Sequence, residues 1–215
     1  MIKNIEPKQE WILYEDKDIL VVNKPSGLLS VPGKKPEHKT CVLSYLHTTH
    51  PDALIVHRLD MDTSGILLLA RNKESHRLLS MQFQDRQTRK VYYALATGRL
   101  NLAEGIINLP MRCDWENRPR QIIDFNHGRS AQTGWKLIQQ FNDYFSIALF
   151  PITGRSHQLR LHMKSLGHPI LGDNLYADQQ TINKTERLML HAGELSFYHP
   201  TQQKAVTINC PAEFI

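Results

Sequence analysis

The chain has 215 residues, 41% of them hydrophobic and 22% charged, a balance that fits a soluble globular protein and excludes long disorder, a fibrous repeat or a membrane-spanning run. A chain of this length can bury about 70% of its unfolded surface, so residues 1–215 are read as a single domain. Twenty-six Lys and Arg against 21 Asp and Glu give a net charge of +5, which permits a polyanionic partner without specifying one.

Residues 1–11 carry Lys3, Glu6, Lys8 and Glu10 and no apolar run, which reads as neither a secretory signal nor an anchor and points to the cytoplasm. Residues 11–14 and 19–23 are predicted strands joined by the acidic turn 15–18, and Lys24-Pro25-Ser26-Gly27 reads as a tight turn. Thr40 is the expected cap of a short helix with Val42, Leu43 and Leu46 on one face and Pro51 as its terminator. The aliphatic run 66–70 is a buried strand, followed by a helix over 73–86 with Leu78, Leu79 and Phe83 inward. Strands are expected at 91–98, 106–109, 131–140, 144–151, 194–198 and 206–209, the fourth returning on the third through Asn142-Asp143. Residues 157–166 place Leu159, Met163 and Leu166 at helical spacing, with Gly167 as the C-terminal cap. Residues 113–128 form the longest expected loop. Strands predominate and the βα alternation is irregular, so the expected fold is α+β, a mixed and largely antiparallel sheet flanked by helices and loops.

Charge is concentrated in two stretches. Arg71, Lys73, Arg77, Arg86, Arg89 and Lys90 are opposed only by Glu74 and Asp85, and residues 144–172 hold no acid at all but contain Arg155, His157, Arg160, His162, Lys164 and His168. Such a distribution suits a phosphate backbone if both stretches face one cleft, and two solvated faces otherwise. Cys41, Cys113 and Cys210 have neither a CxxC nor a zinc spacing and are read as buried thiols. Residues 27–34 lack the spacing and the Ser or Thr of a phosphate-binding loop, His47 and His50 are read as surface histidines, and no GxSxG surrounds any serine. No metal site is expected.

Reactive groups are densest in His57-Arg58-Leu59-Asp60-Met61-Asp62-Thr63-Ser64-Gly65, which runs into the apolar strand at Ile66. A loop fixed to the rim of a buried strand is where a scaffold presents functional side chains, although a polar turn capped by Asp60 and Asp62 has the same composition. HRLDMDTSG resembles the HRLDxxTSG signature of the RluA family of pseudouridine synthases. The resemblance extends upstream to residues 19–28, with the Lys24-Pro25 turn, and downstream to Lys90-Val91-Tyr92, to residues 154–162 (GRSHQLRLH) and to residues 168–173 (HPILGD). The motifs follow the family's order and span nearly the whole chain. Trp11 already falls at the start of the catalytic pattern, so the S4-type module of other members is not expected, and CDWENRP at 113–119 looks like the short branch of the family.

The resemblance implies an RNA pseudouridine synthase in which the carboxylate of Asp60 attacks the target uridine, the bond from C1′ to N1 breaks and the sugar rejoins at C5. It makes Tyr92 the aromatic residue against the uracil, Arg160 the partner of the acid, and Leu159 its apolar neighbour. Arg58 is the residue that would fill the space of a flipped nucleotide, with Leu59, Arg155 and His157 as further substrate-binding positions. The chemistry agrees, because cleavage at the sugar carbon needs an ionised carboxylate and an arginine nearby keeps it ionised in a dry site. On residues alone, Tyr93 serves as well as Tyr92. The product is an isomer, so no cofactor is expected, and the partner is RNA, through loop uridines of ribosomal RNA or tRNA stem-loops, read by shape and by ease of base flipping. A monomer without membrane contact is expected. An N-glycosidase using Asp60 and Asp62, or an inactive RNA-binding protein, are the alternatives.

Overall fold

The computed structural model describes residues 9–33, 35–36 and 39–215. The charged segment 1–8 and Lys34 of the rejected phosphate-loop match lie outside the described residues. After a 3-10 turn at Gln9–Trp11, the elements run β1 (Ile12–Glu15), β2 (Ile19–Lys24), α1 (Val42–Leu46), β3 (Leu54–Ile55), β4 (Ser64–Ala70), α2 (Lys73–Gln84), β5 (Arg89–Thr97) and β6 (Glu104–Asn108). They continue as β7 (Met111–Cys113), β8 (Gln121–Ile123), β9 (Gln132–Gln140), β10 (Tyr144–Pro151), α3 (Gln158–Ser165), α4 (Gln179–Ile182), β11 (Leu190–Tyr198) and β12 (Ala205–Asn209). The chain divides into two compact units, residues 1–89 with 194–210, and residues 90–193 with 211–215.

In the first unit, the β1–β2 hairpin closes where the Asp16 carboxylate accepts the backbone N–H groups of Asp18 and Ile19 at 2.8 and 2.9 Å. Strand β2 pairs antiparallel with β4 from Ile19 opposite Ala70 to Lys24 opposite Gly65. Both are aliphatic runs, and every residue of β4 is buried, as expected for strands covered on both faces. Ile19, Val21, Ile66, Leu68 and Ala70 form one core with Leu79 of α2 and with Leu195, Phe197 and Cys210. Helix α2 begins where the Asn72 side chain accepts the N–H of Ser75 at 2.8 Å, and it ends two residues before the expected Arg86, which takes a left-handed φ of 57°. Of its three expected inward residues Leu79 alone is fully buried, while Leu78 and Phe83 are half-buried. Helix α1 is capped by Cys41, not Thr40. A bridge to Leu29 holds Cys41 extended, its Sγ accepts from Ser44 N, and the helix ends at Leu46, short of Pro51.

The second unit carries an antiparallel sheet in the order β5-β10-β9-β6. Ala94, Ala96, Ile107, Trp135, Phe145, Ile147 and Leu149 from this sheet meet Leu159 and Met163 of α3 in its core. Helix α3 ends in a Schellman turn, with Gly167 at a φ of 84° and His168 N–H donating to Met163 O at 3.0 Å, as the Gly167 cap predicts. Residues 113–128 are not one loop, because β8 lies within them and pairs with β7, which ends at Cys113, as a small separate hairpin. The pairings β1–β2, β2–β4, β3–β4, β11–β12, β5–β10, β9–β10, β6–β9 and β7–β8 are antiparallel, and the fold is α+β.

Candidate active site

The loop 57–63 enters β4 at the end where Lys24 faces Gly65, and it is tied there by the Lys-Pro turn. The Lys24 side chain is fully buried and donates to the carbonyls of Pro25, Leu28 and Met61 at 2.8, 2.6 and 2.8 Å. Three acceptors match the three N–H bonds of an ammonium. Burial pulls the Lys24 pKa down to about 7, against the opposing pull of Asp62 and Asp60. Gly27, at a left-handed φ of 82°, donates its N–H to Met61 O, and Ser26 Oγ donates to Asp62 O at 2.6 Å. Ser30 Oγ both donates to Leu59 O and accepts from Leu59 N, which fixes the residue before Asp60 on each side of its α-carbon. His57 stacks on Phe83 with ring centroids 4.6 Å apart and accepts the N–H of Leu68. Asp60 is thus a half-buried carboxylate on a loop whose backbone is pinned at 59, 61 and 62. Arg58 is exposed and Leu59 buried.

Tyr92, Arg155, His157, Leu159 and Arg160 belong to the second unit. Tyr92 and Tyr93 lie on opposite faces of β5, opposite Leu149 and Ala148, and both are half-buried. Tyr92 packs against the apolar cluster to which Leu159 belongs. His157 takes a left-handed φ of 54° at the start of α3, and its Nδ1 lies 2.9 Å from the Tyr176 hydroxyl. Arg155 is half-buried, donating from Nε to Ser130 O at 3.4 Å. Gln158 holds the motif to the sheet: its carbonyl oxygen accepts from Thr153 Oγ1 and Arg155 N, and its amide donates to Gln132 O and Thr133 Oγ1.

Arg160 is no exposed helix residue. It is 2% exposed and grips Asp173 through Nε at 3.0 Å and Nη2 at 2.6 Å, with Asn174 Oδ1 at 3.0 Å from the same Nη2. Asp173 also accepts the N–H groups of Leu175 and Tyr176, and the Arg160 guanidinium lies 5.5 Å from the Tyr176 ring centroid. The turn requires Gly172, at a φ of 74°, because a Cβ there would meet Arg187 O at 2.0 Å. The acid-free stretch 144–172 therefore stops one residue before the acid that neutralises its central arginine. His162 is also buried, between Thr133 Oγ1 and Leu109 O, and burial pushes its pKa down. Basic charge is tempered likewise in the first unit, where Arg71 binds Glu15 and Asp52, Arg77 binds Glu74, and Arg89 binds Glu194.

Two smaller expectations need correction. Cys113 is half-buried, unlike Cys41 and Cys210. His50 is buried, 3.3 Å from Glu15, while His47 is exposed. Asp16, Asp18 and His199 gather their polar atoms within 4.8 Å, a spacing a cation could use. Their oxygens already accept from Tyr14, His199, Asn72 and Thr201 as well as from backbone, so the cluster clasps the β1–β2 turn to the segment after β11. Lys24, Asp173, Gln158 and Tyr176 escaped sequence reasoning, although the first three stand inside quoted motifs; their bonds run to partners set by the fold.

A family model described as RNA pseudouridylate synthase matches residues 18–165. The chain belongs to the RNA pseudouridylate synthase family. It is 48% identical over 210 residues to the dual-specificity RNA pseudouridine synthase RluA of Vibrio cholerae, covering 97% of this chain and 86% of that protein. The protein of the same name from Escherichia coli K12 is 46% identical over 217 residues, 99% of each chain. Among solved structures, human RNA pseudouridylate synthase domain containing 1 superposes with a TM-score of 0.81 at 28% identity, covering 98% of this chain and 88% of that one. Human RNA pseudouridylate synthase domain containing 4 gives 0.76 at 25%, covering 94% and 89%. The synthase is an isomerase acting on RNA, and no helix among its described residues is long and apolar enough to cross a membrane.

Proposed function

We propose that this synthase converts loop uridines of large-subunit ribosomal RNA and of a tRNA anticodon stem-loop to pseudouridine, with Asp60 as its nucleophile. The observation that carries the reading is 46–48% identity over nearly the whole chain to enzymes named for dual specificity. The pinned backbone around Asp60 supports the nucleophile assignment, since a carboxylate that must meet one sugar carbon gains from a fixed position. The carboxylate forms a bond to C1′ as the C1′–N1 bond breaks; the uracil turns, C5 bonds to C1′ as the carboxylate leaves, C5 loses its proton and N1 gains one. Tyr92 and Arg160 are the further catalytic residues, and Arg58, Leu59, Leu159, Arg155 and His157 contact the substrate. Tyr92 is preferred to Tyr93 because it shares an apolar cluster with Leu159. The whole chain acts as one catalytic domain, a cytoplasmic monomer needing no cofactor.

Purified protein incubated with a stem-loop RNA tritiated at uridine C5 tests this directly. Tritium released to water from an intact RNA chain is expected. Free uracil would indicate an N-glycosidase instead, and neither product would leave an RNA-binding protein.

A further inference from the structure

The β7–β8 hairpin ends in a tip, residues 114–120, whose most conspicuous side chain serves no core. Trp115 is 64% exposed, and the Arg118 guanidinium carbon lies 4.4 Å from its ring centroid. The tip is well braced: Asp114 N–H donates to Arg120 O, Arg120 N–H to Asn117 O, Asn117 Nδ2 to Asp114 Oδ2, and Arg118 Nε to Trp115 O. Its base is anchored as well. Gln121 N–H donates to the hydroxyl of buried Tyr176, and Arg112 binds Asp124 across the hairpin. A large indole is therefore held outward on a rigid arm, with a cation against its ring.

We infer that Trp115 and Arg118 form a stacking platform for an unpaired base of the RNA substrate. The inference rests on the proposed action on RNA loops and adds a contact outside the residues assigned to the reaction. An indole carrying a guanidinium presents the flat, polarisable surface on which splayed-out bases stack, and such stacking tolerates any base. A protein partner would need an apolar surround to form the dry centre of an interface. Residues 116–120 are all exposed and Pro119 is the one apolar residue among them, while the exposed Phe125 follows β8 at the base of the hairpin, so the tip itself offers Trp115 no apolar surround. Arg120 and Arg129, both exposed on the same segment, suit a phosphate backbone passing beside the base.

The test measures Kd by fluorescence anisotropy with a labelled anticodon stem-loop, and the single-turnover rate at saturating RNA. Trp115→Ala is expected to weaken binding about 5–100-fold, the range of losing one stacked base, with Trp115→Phe retaining most of the affinity. The rate at saturation stays within about twofold of wild type in both, and Leu102→Ala, which removes an equally exposed apolar side chain elsewhere in the unit, changes neither quantity. RNA should also quench the wild-type tryptophan emission more than that of Trp115→Phe. A Kd for Trp115→Ala within about twofold of wild type overturns the platform. Failure of the wild type to release C5 tritium would instead overturn the activity, and the Kd comparison still judges the platform in that case.

Discussion

Arg160 changes what a substitution at this position means. Its guanidinium and the Asp173 carboxylate form a buried pair, so Arg160→Ala leaves an unpaired acid inside the second unit. The expected cost is about 3–5 kcal/mol of stability, read from urea unfolding, and an unfolding midpoint equal to wild type would contradict it. Loss of turnover in that variant mixes structure with chemistry, and a stability curve must accompany it. Asp60 is half-buried on a loop held by its neighbours' backbone, and its charge acts on buried Lys24, so a stability curve must accompany a substitution there as well. The sequence marks both residues through their motifs. It cannot mark Asp173 as the arginine's partner, since the pairing depends on the turn after α3 bringing residue 173 back to residue 160.

At the scale of elements, local signals are legible wherever the chain satisfies itself locally. Asn72 caps α2, Gly167 closes α3, and the aliphatic runs of β2 and β4 are buried on both faces. Asn72→Ala should cost about 1 kcal/mol through the lost Ser75 N–H acceptor, shown by a lower midpoint at unchanged denaturant slope; an unshifted midpoint would mean that the cap contributes nothing. Thr40 fails as a cap for a physical reason: the bridge to Leu29 sets the extended residue at Cys41, and that contact is remote in sequence. The β7–β8 hairpin is illegible in the sequence because its strands are only three residues long, too short for an alternation to reveal it.

For the whole molecule, net charge is a poor guide to usable charge. Of the basic groups counted in the two stretches, Arg71, Arg77, Arg89 and Arg160 have acidic partners and His162 is buried. Lys24 makes stability depend on pH in a defined direction. Its pKa falls from 10.5 to about 7 on folding, so between those values the unfolded chain holds more protons than the folded one. Its contribution to stability therefore rises with pH from about 7 to 10.5, by a few kcal/mol in all, and is lost over the same window as pH falls from 10.5 to about 7. Urea midpoints measured across that window should rise more steeply for wild type than for Lys24→Met. Equal slopes would show that Lys24 keeps an ordinary pKa in the folded chain.

Turnover by Asp60→Asn decides the chemistry most directly. With a stem-loop RNA tritiated at uridine C5, the variant should lose release by about 1,000-fold or more while its affinity for the RNA stays within about threefold of wild type. Release at the wild-type rate would remove Asp60 as the nucleophile.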